Sequence, residues 1–163
     1  MELELKEAAR AEDVITFVEA IVAGEPNINA NMANLAALLY QFLPDVNWVG
    51  FYIHESASGD WVLGPFSGKP ACTRIRVGRG VVGKGLESGY SLVVEDVAAF
   101  PGHIACDAQS KSEVVVPVYF NGQVVAGLDV DSPLVGRFQP PEVELLEVVC
   151  RRLGRGWQNS PWY

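Results

Sequence analysis

Cys106 offers the chain its most direct route to chemistry. It sits in the turn-rich stretch 99–116, Ala-Phe-Pro-Gly-His-Ile-Ala-Cys-Asp-Ala-Gln-Ser-Lys-Ser-Glu-Val-Val-Val. Pro101 and Gly102 punctuate one side of it, Asp107, Ser110 and Ser112 follow on the other, and Val114 to Val116 begin what reads as a buried strand. A thiol on a loop that feeds a rigid strand is held in place yet reachable. Only its thiolate is a strong nucleophile, and a free Cys ionises near pH ~8.5, so the neighbouring His103 and Lys111 are candidate activators. The competing reading is a small, inert apolar residue. Cys72 follows Gly68-Lys69-Pro70, a loop setting that argues for access, whereas Cys150 falls on the inward side of a helical pattern and reads as core. Cys72, His103 and Cys106 lack the paired close spacing of a zinc site, so no metal is expected.

The carboxylates form the second group. Asp129 and Asp131 alternate on a strand, which puts both side chains on one face. Glu113 opens the preceding strand, and Asn121-Gly122 between the two is a strong two-residue hairpin signal that folds Glu113 back toward the aspartates. Three carboxylates crowded together raise at least one pKa and leave an acid that can donate a proton near neutral pH. The plainer reading of each is a solvated strand end. Trp48 and Tyr52, four apart on a strand, share a face as core or as the wall of a pocket.

Elements to position these residues are legible along the chain. Apolar positions at Val14, Phe17, Val18, Ile21 and Val22 predict a helix over 7–23, and Ile28, Met32, Leu35, Leu38, Leu39 and Phe42 predict a second over 28–43. The two are expected to cover one face of a sheet. Strands are predicted at 47–54, 61–66, 72–75, 91–94, 113–120 and 123–131. The glycine-rich segment 78–85 does not match a phosphate loop and reads as a turn into a short helix ending near Gly89. A last helix over 140–153 has Pro140 and Pro141 at its start, acids in its first turn and Arg151 and Arg152 in its last. Strands come in hairpins, not βαβ units, so the expected class is α+β: a central antiparallel sheet with helices packed against it.

Composition bounds the rest. The 163 residues are 49% hydrophobic and 20% charged, as expected for one globular domain spanning 1–163. A net charge of −8 argues against nucleic acid and anionic membranes as partners. The acidic start, Met-Glu-Leu-Glu-Leu-Lys-Glu, lacks the apolar core of a secretion signal, and a cytoplasmic location is expected. Three Cys, an odd count, make a poor disulfide scaffold and suit free or redox-cycling thiols.

Five segments then occur in a telling order: Asn-Trp-Val-Gly-Phe-Tyr, Gly-Pro-Phe-Ser-Gly-Lys-Pro-Ala-Cys-Thr-Arg-Ile, Val-Gly-Arg-Gly-Val-Val-Gly, Phe-Pro-Gly-His-Ile-Ala-Cys-Asp and Leu-Asp-Val-Asp-Ser-Pro. Together, from about Trp48 to Phe138, they closely resemble the free methionine-(R)-sulfoxide reductases, which are built on a GAF domain. The resemblance implies a GAF-like fold and reduction of free methionine sulfoxide, not of sulfoxide within proteins. It implies that Cys106 attacks the sulfoxide, that Cys72 resolves the sulfenic acid, and that Glu113, Asp129 and Asp131 are pocket carboxylates. It further implies that Trp48 and Tyr52 enclose the substrate methyl group, that thioredoxin or a similar protein is the reductant, that no cofactor is needed and that the protein is a homodimer. One position departs: Val82 stands where many members carry a third Cys, which removes any relay through that site. Two other readings compete. One is a non-catalytic GAF module that binds or senses a small ligand; the other is a structural subunit docking through the aromatic tail, Trp157 to Tyr163.

Overall fold

In the structure, a computed structural model that describes residues 11–157, six antiparallel strands form one sheet flanked by helices on both faces. In chain order the elements are α1 (Ala11–Ala23), α2 (Ile28–Phe42), β1 (Trp48–His54), β2 (Trp61–Gly68), β3 (Arg74–Ile75), α3 (Gly80–Ser88), β4 (Leu92–Val94), β5 (Ser112–Phe120), β6 (Gln123–Ser132) and α4 (Pro140–Arg155). The strands lie in the order β3-β2-β1-β6-β5-β4. The α+β expectation holds, and among the described residues no helix is long and apolar enough to cross a membrane.

The alternation of side chains divides the core in two. Val49, Phe51 and Ile53 of β1, Val114, Val116 and Val118 of β5, and Ala126, Leu128 and Val130 of β6 face one way, into a large apolar core with α1, α2 and α4. Trp48 and Tyr52 of β1 and Val115 of β5 face the other way, toward α3, in a smaller cluster. The β5–β6 hairpin turns at Asn121 (φ 49°) and Gly122 (φ 75°), both left-handed as a primed turn requires. A bulge between Val118 and Tyr119 then shifts the register by one residue, which places Glu113 opposite Asp131 and Val115 opposite Asp129, so all three acids fall on the α3 side.

Several boundaries differ from expectation for local reasons. The first helix packs chiefly on α2 and α4, and its Val14 and Val18 join the core that those helices form on this face of the sheet. Residues 7–10 of its expected range lie outside the described part. Of the expected 72–75 strand, β3 keeps Arg74 and Ile75, the Thr73 carbonyl still accepts from the Leu63 N–H of β2 at 3.0 Å, and the Cys72 carbonyl accepts from the Tyr52 hydroxyl at 2.9 Å. The last helix runs on to Arg155, with Gly154 so close to the Tyr119 carbonyl of β5 that a side chain there would overlap it. Trp157 is buried in the larger core; the rest of the aromatic tail, 158–163, falls outside the described residues.

Candidate functional site

A pocket opens between the sheet and the N-terminal end of α3. Its lining includes Trp48, Tyr52, Val82, Cys106, Glu113, Asp129 and Asp131. Two loops cover its mouth. One follows β2 and carries Cys72; the other precedes β5 and carries Cys106. The two sulfurs are joined in a disulfide across 34 residues of chain, with 5.7 Å between the Cα atoms. Cys106 is exposed and Cys72 is half-buried, whereas Cys150 is sealed in the larger core, where burial pushes its thiol pKa up. The expectation that Cys72 and Cys106 can meet is therefore met by the geometry.

Strand β1 fastens both loops. Asn47, just before it, donates from Nδ2 to Asp107 Oδ2 at 3.2 Å and to Ser110 Oγ at 3.1 Å, which pins the Cys106 loop. Trp48 Nε1 donates to the Lys69 carbonyl at 3.0 Å, and the Tyr52 hydroxyl holds the Cys72 carbonyl. The two aromatics thus secure both ends of the Cys72 segment as well as walling the pocket. Their rings stack with centroids 6.0 Å apart, and Phe66 stacks on the outer side of Trp48 at 5.4 Å. Gly50 makes this possible: a Cβ there would overlap the Trp48 ring and Phe66 Cβ. Val82 is a buried wall residue of the same pocket. Of the two suggested activators, Lys111 is exposed and His103 lies at the pocket.

At the base of the pocket, Glu113 and Asp129 are buried and Asp131 is half-buried. Oxygens of the three lie within 4.8 Å of one another, near enough to share one cation, an ammonium group or a metal ion. Burial raises the Glu113 pKa from 4.5 to about 8, with the Asp131 charge adding to the shift. Burial also raises Asp129, followed by the Glu113 charge, and raises Asp131, followed by Asp129 and Asp107. At neutral pH the cluster consequently retains protons. The Tyr52 phenol is raised first by burial and then by these acids, so it stays a neutral donor. His103 Nε2 lies 3.6 Å from Glu113 Oε2, and burial lowers its pKa, leaving a neutral imidazole beside a carboxylic acid. Asp129 Oδ1 is buried without a donor of its own, while the Asp129 carboxyl shares a hydrogen bond with Glu113.

Sequence reasoning missed one more feature. Gly80, Val81 and Val82 line the pocket at the first turn of α3, and Arg79 supplies no capping side chain. Gly80 starts the helix at φ 59°, which glycine adopts without strain. A helix start presents backbone N–H groups that favour an anion. The pocket therefore combines a paired thiol, retained protons, an apolar wall, acids suited to a cation and a helix start suited to an anion.

The GAF domain model matches residues 28–156. The chain belongs to the GAF domain family. Within it, this GAF domain is 53% identical over 121 residues to the Bacillus subtilis protein YtsP, covering 74% of each chain. It is 46% identical over 134 residues to the Escherichia coli free methionine-R-sulfoxide reductase, covering 82% of this chain and 80% of that one. Among solved structures, it superposes with a TM-score of 0.89 and 38% identity on the Neisseria meningitidis free methionine-R-sulfoxide reductase in complex with its substrate, covering 93% and 92% of the two chains. These likenesses support an oxidoreductase.

Proposed function

We propose that this GAF domain reduces free L-methionine-(R)-sulfoxide to methionine with the Cys106 and Cys72 thiols. The observation that carries the reading is the disulfide at the mouth of a pocket whose base holds protonated carboxyls. The Cys106 thiolate attacks the sulfoxide sulfur. The oxygen is transferred to Cys106 with one proton, giving a sulfenic acid and free methionine. Glu113 supplies that proton, since it is a neutral acid at pH 7 and its neighbour His103 belongs to the Cys106 loop. Cys72 then displaces the hydroxyl: an S–S bond forms, the S–O bond breaks, and water leaves with the Cys72 proton. An external dithiol protein such as thioredoxin reduces the disulfide and restores both thiols. No cofactor or metal takes part.

Specificity for the free amino acid follows from its two charges. Asp129 and Asp131 take the ammonium group, which satisfies the unpartnered Asp129 Oδ1. The first turn of α3 takes the carboxylate, and Trp48 and Tyr52 enclose the methyl group. A sulfoxide within a peptide lacks both charges. The cytoplasm supplies the reducing conditions this cycle needs, and a homodimer is the expected assembly. The non-catalytic ligand-binding alternative leaves the exposed, paired Cys106 without a purpose.

The direct test is turnover of free (R)- and (S)-methionine sulfoxide with a thioredoxin system. Activity on the (R) form that disappears in Cys106→Ser supports the proposal. Full activity in Cys106→Ser, or equal turnover of both isomers, contradicts it.

A further inference from the structure

We propose that Lys69 is a positioning residue: its ammonium group latches the Cys72 loop to the Cys106 loop and so raises the effective concentration of each thiol at the other. The inference builds on the two-cysteine cycle proposed above. Lys69 lies three residues before Cys72, and its Nζ donates to Gln109 Oε1 at 2.9 Å, three residues after Cys106. The same Nζ lies 4.0 Å from Asp107 Oδ2, next to Cys106 in the chain.

Both ends of this bridge are themselves anchored. The Lys69 carbonyl accepts from Trp48 Nε1 at 3.0 Å, and Asp107 Oδ2 accepts from Asn47 Nδ2 at 3.2 Å. Asp107 Oδ1 also accepts from the Gln109 backbone N–H at 2.9 Å, which fixes the turn that presents Gln109. The bridge thus joins two loops already tied to one strand, and little further ordering opposes it. With its side chain 60% exposed, Lys69 makes a rim contact of modest strength outside the disulfide.

Resolution of the sulfenic acid depends on how often Cys72 reaches Cys106, and a tether across the loops increases that frequency. By linkage, a contact stronger when the sulfurs are joined stabilises the disulfide by the same factor. An ammonium near a cysteine has another conceivable effect, stabilisation of a thiolate, which favours the reduced form. The two effects have opposite signs on the disulfide equilibrium, and that sign separates a latch from a thiolate stabiliser.

The experiment equilibrates the full chain and its Lys69→Met variant with mixtures of reduced and oxidised dithiothreitol. The Cys72–Cys106 state is read by alkylation and mass spectrometry. No substrate is present, so any contact of Lys69 with substrate does not enter. Lys69→Met is expected to shift the ratio about two- to fivefold toward the dithiol, the range of an exposed ion pair. Lys69→Arg is expected to restore it. Gln109→Ala is expected to shift it the same way and to add less than fully to Lys69→Met, and it carries the test if Lys69→Met does not fold. An unchanged ratio, or a shift toward the disulfide, overturns the latch. Failure of the unaltered chain to form a Cys72–Cys106 disulfide at all removes the two-cysteine reading and the latch with it.

Discussion

The two faces of the sheet are built from the same strands and do opposite things. Toward α1, α2 and α4, the central alternate residues of β1, β5 and β6, from Val49 to Ile53, Val114 to Val118 and Ala126 to Val130, are Val, Leu, Ile, Phe or Ala, and the packing is apolar. Toward α3, the intervening positions of β5 and β6 hold Glu113, Asp129 and Asp131, and those of β1 hold Trp48 and Tyr52. Burial of apolar area on the first face, about 25 cal/mol per Å², stabilises a sheet that keeps acids crowded on the second. Two of the buried groups illustrate the contrast. Cys150 on the helical face is pushed away from reactivity by the same loss of water that makes Glu113 a proton donor on the other.

The sharpest break between the faces is expected at the cysteines. Cys106→Ser abolishes turnover of the (R)-sulfoxide, whereas Cys150→Ala leaves kcat unchanged and lowers stability by about 1–2 kcal/mol in urea titrations. Equal losses of activity in the two would erase the distinction. Glu113→Gln comes next. Removing a general acid lowers kcat by roughly 10²- to 10⁴-fold with the fold intact, and a kcat within a factor of a few of the unaltered protein would remove Glu113 from the mechanism. On the helical face, Leu128→Ala is expected to cost about 2–5 kcal/mol of stability. It should leave kcat per folded molecule unaltered, checked by active-site titration.

Smaller still is a dependence of stability on pH that belongs to the α3 face alone. The Glu113 carboxyl, raised in the folded chain from 4.5 to about 8, binds its proton more tightly when folded. Its contribution is fully present below pH 4.5, and it is lost as pH rises through about 8. The urea midpoint should therefore fall between those limits, and Glu113→Gln should flatten the slope. A midpoint that rises with pH across this window, equally in both proteins, would show that the acids are solvated after all.

Much of this arrangement was readable from the chain. Asn121-Gly122 marks the β5–β6 hairpin, but the register it starts is shifted by one residue at a bulge between Val118 and Tyr119. Only that shift, which the sequence did not announce, puts Glu113 opposite Asp131. The turn-rich run before Val114 correctly placed Cys106 on a reachable loop. What could not be read is what ties distant loops together. Asn47 meets Asp107 and Ser110 across 60 and 63 residues, and Lys69 meets Gln109 across 40. Single polar contacts of that span leave no periodic pattern, because neither partner must fall on a helix or strand face. Cys72 looked like the start of a strand because Thr73-Arg74-Ile75 follow it. The Tyr52 hydroxyl, 20 residues away, decides otherwise by taking its carbonyl.

The most direct test of the account is a single turnover without reductant. Fully reduced protein is mixed with one equivalent of free L-methionine-(R)-sulfoxide, and the products are quantified. The expected result is one methionine formed per chain, two thiols lost, and a disulfide between the Cys72 and Cys106 peptides, with no reaction of the (S)-sulfoxide. Retention of all thiols with no methionine formed would contradict it.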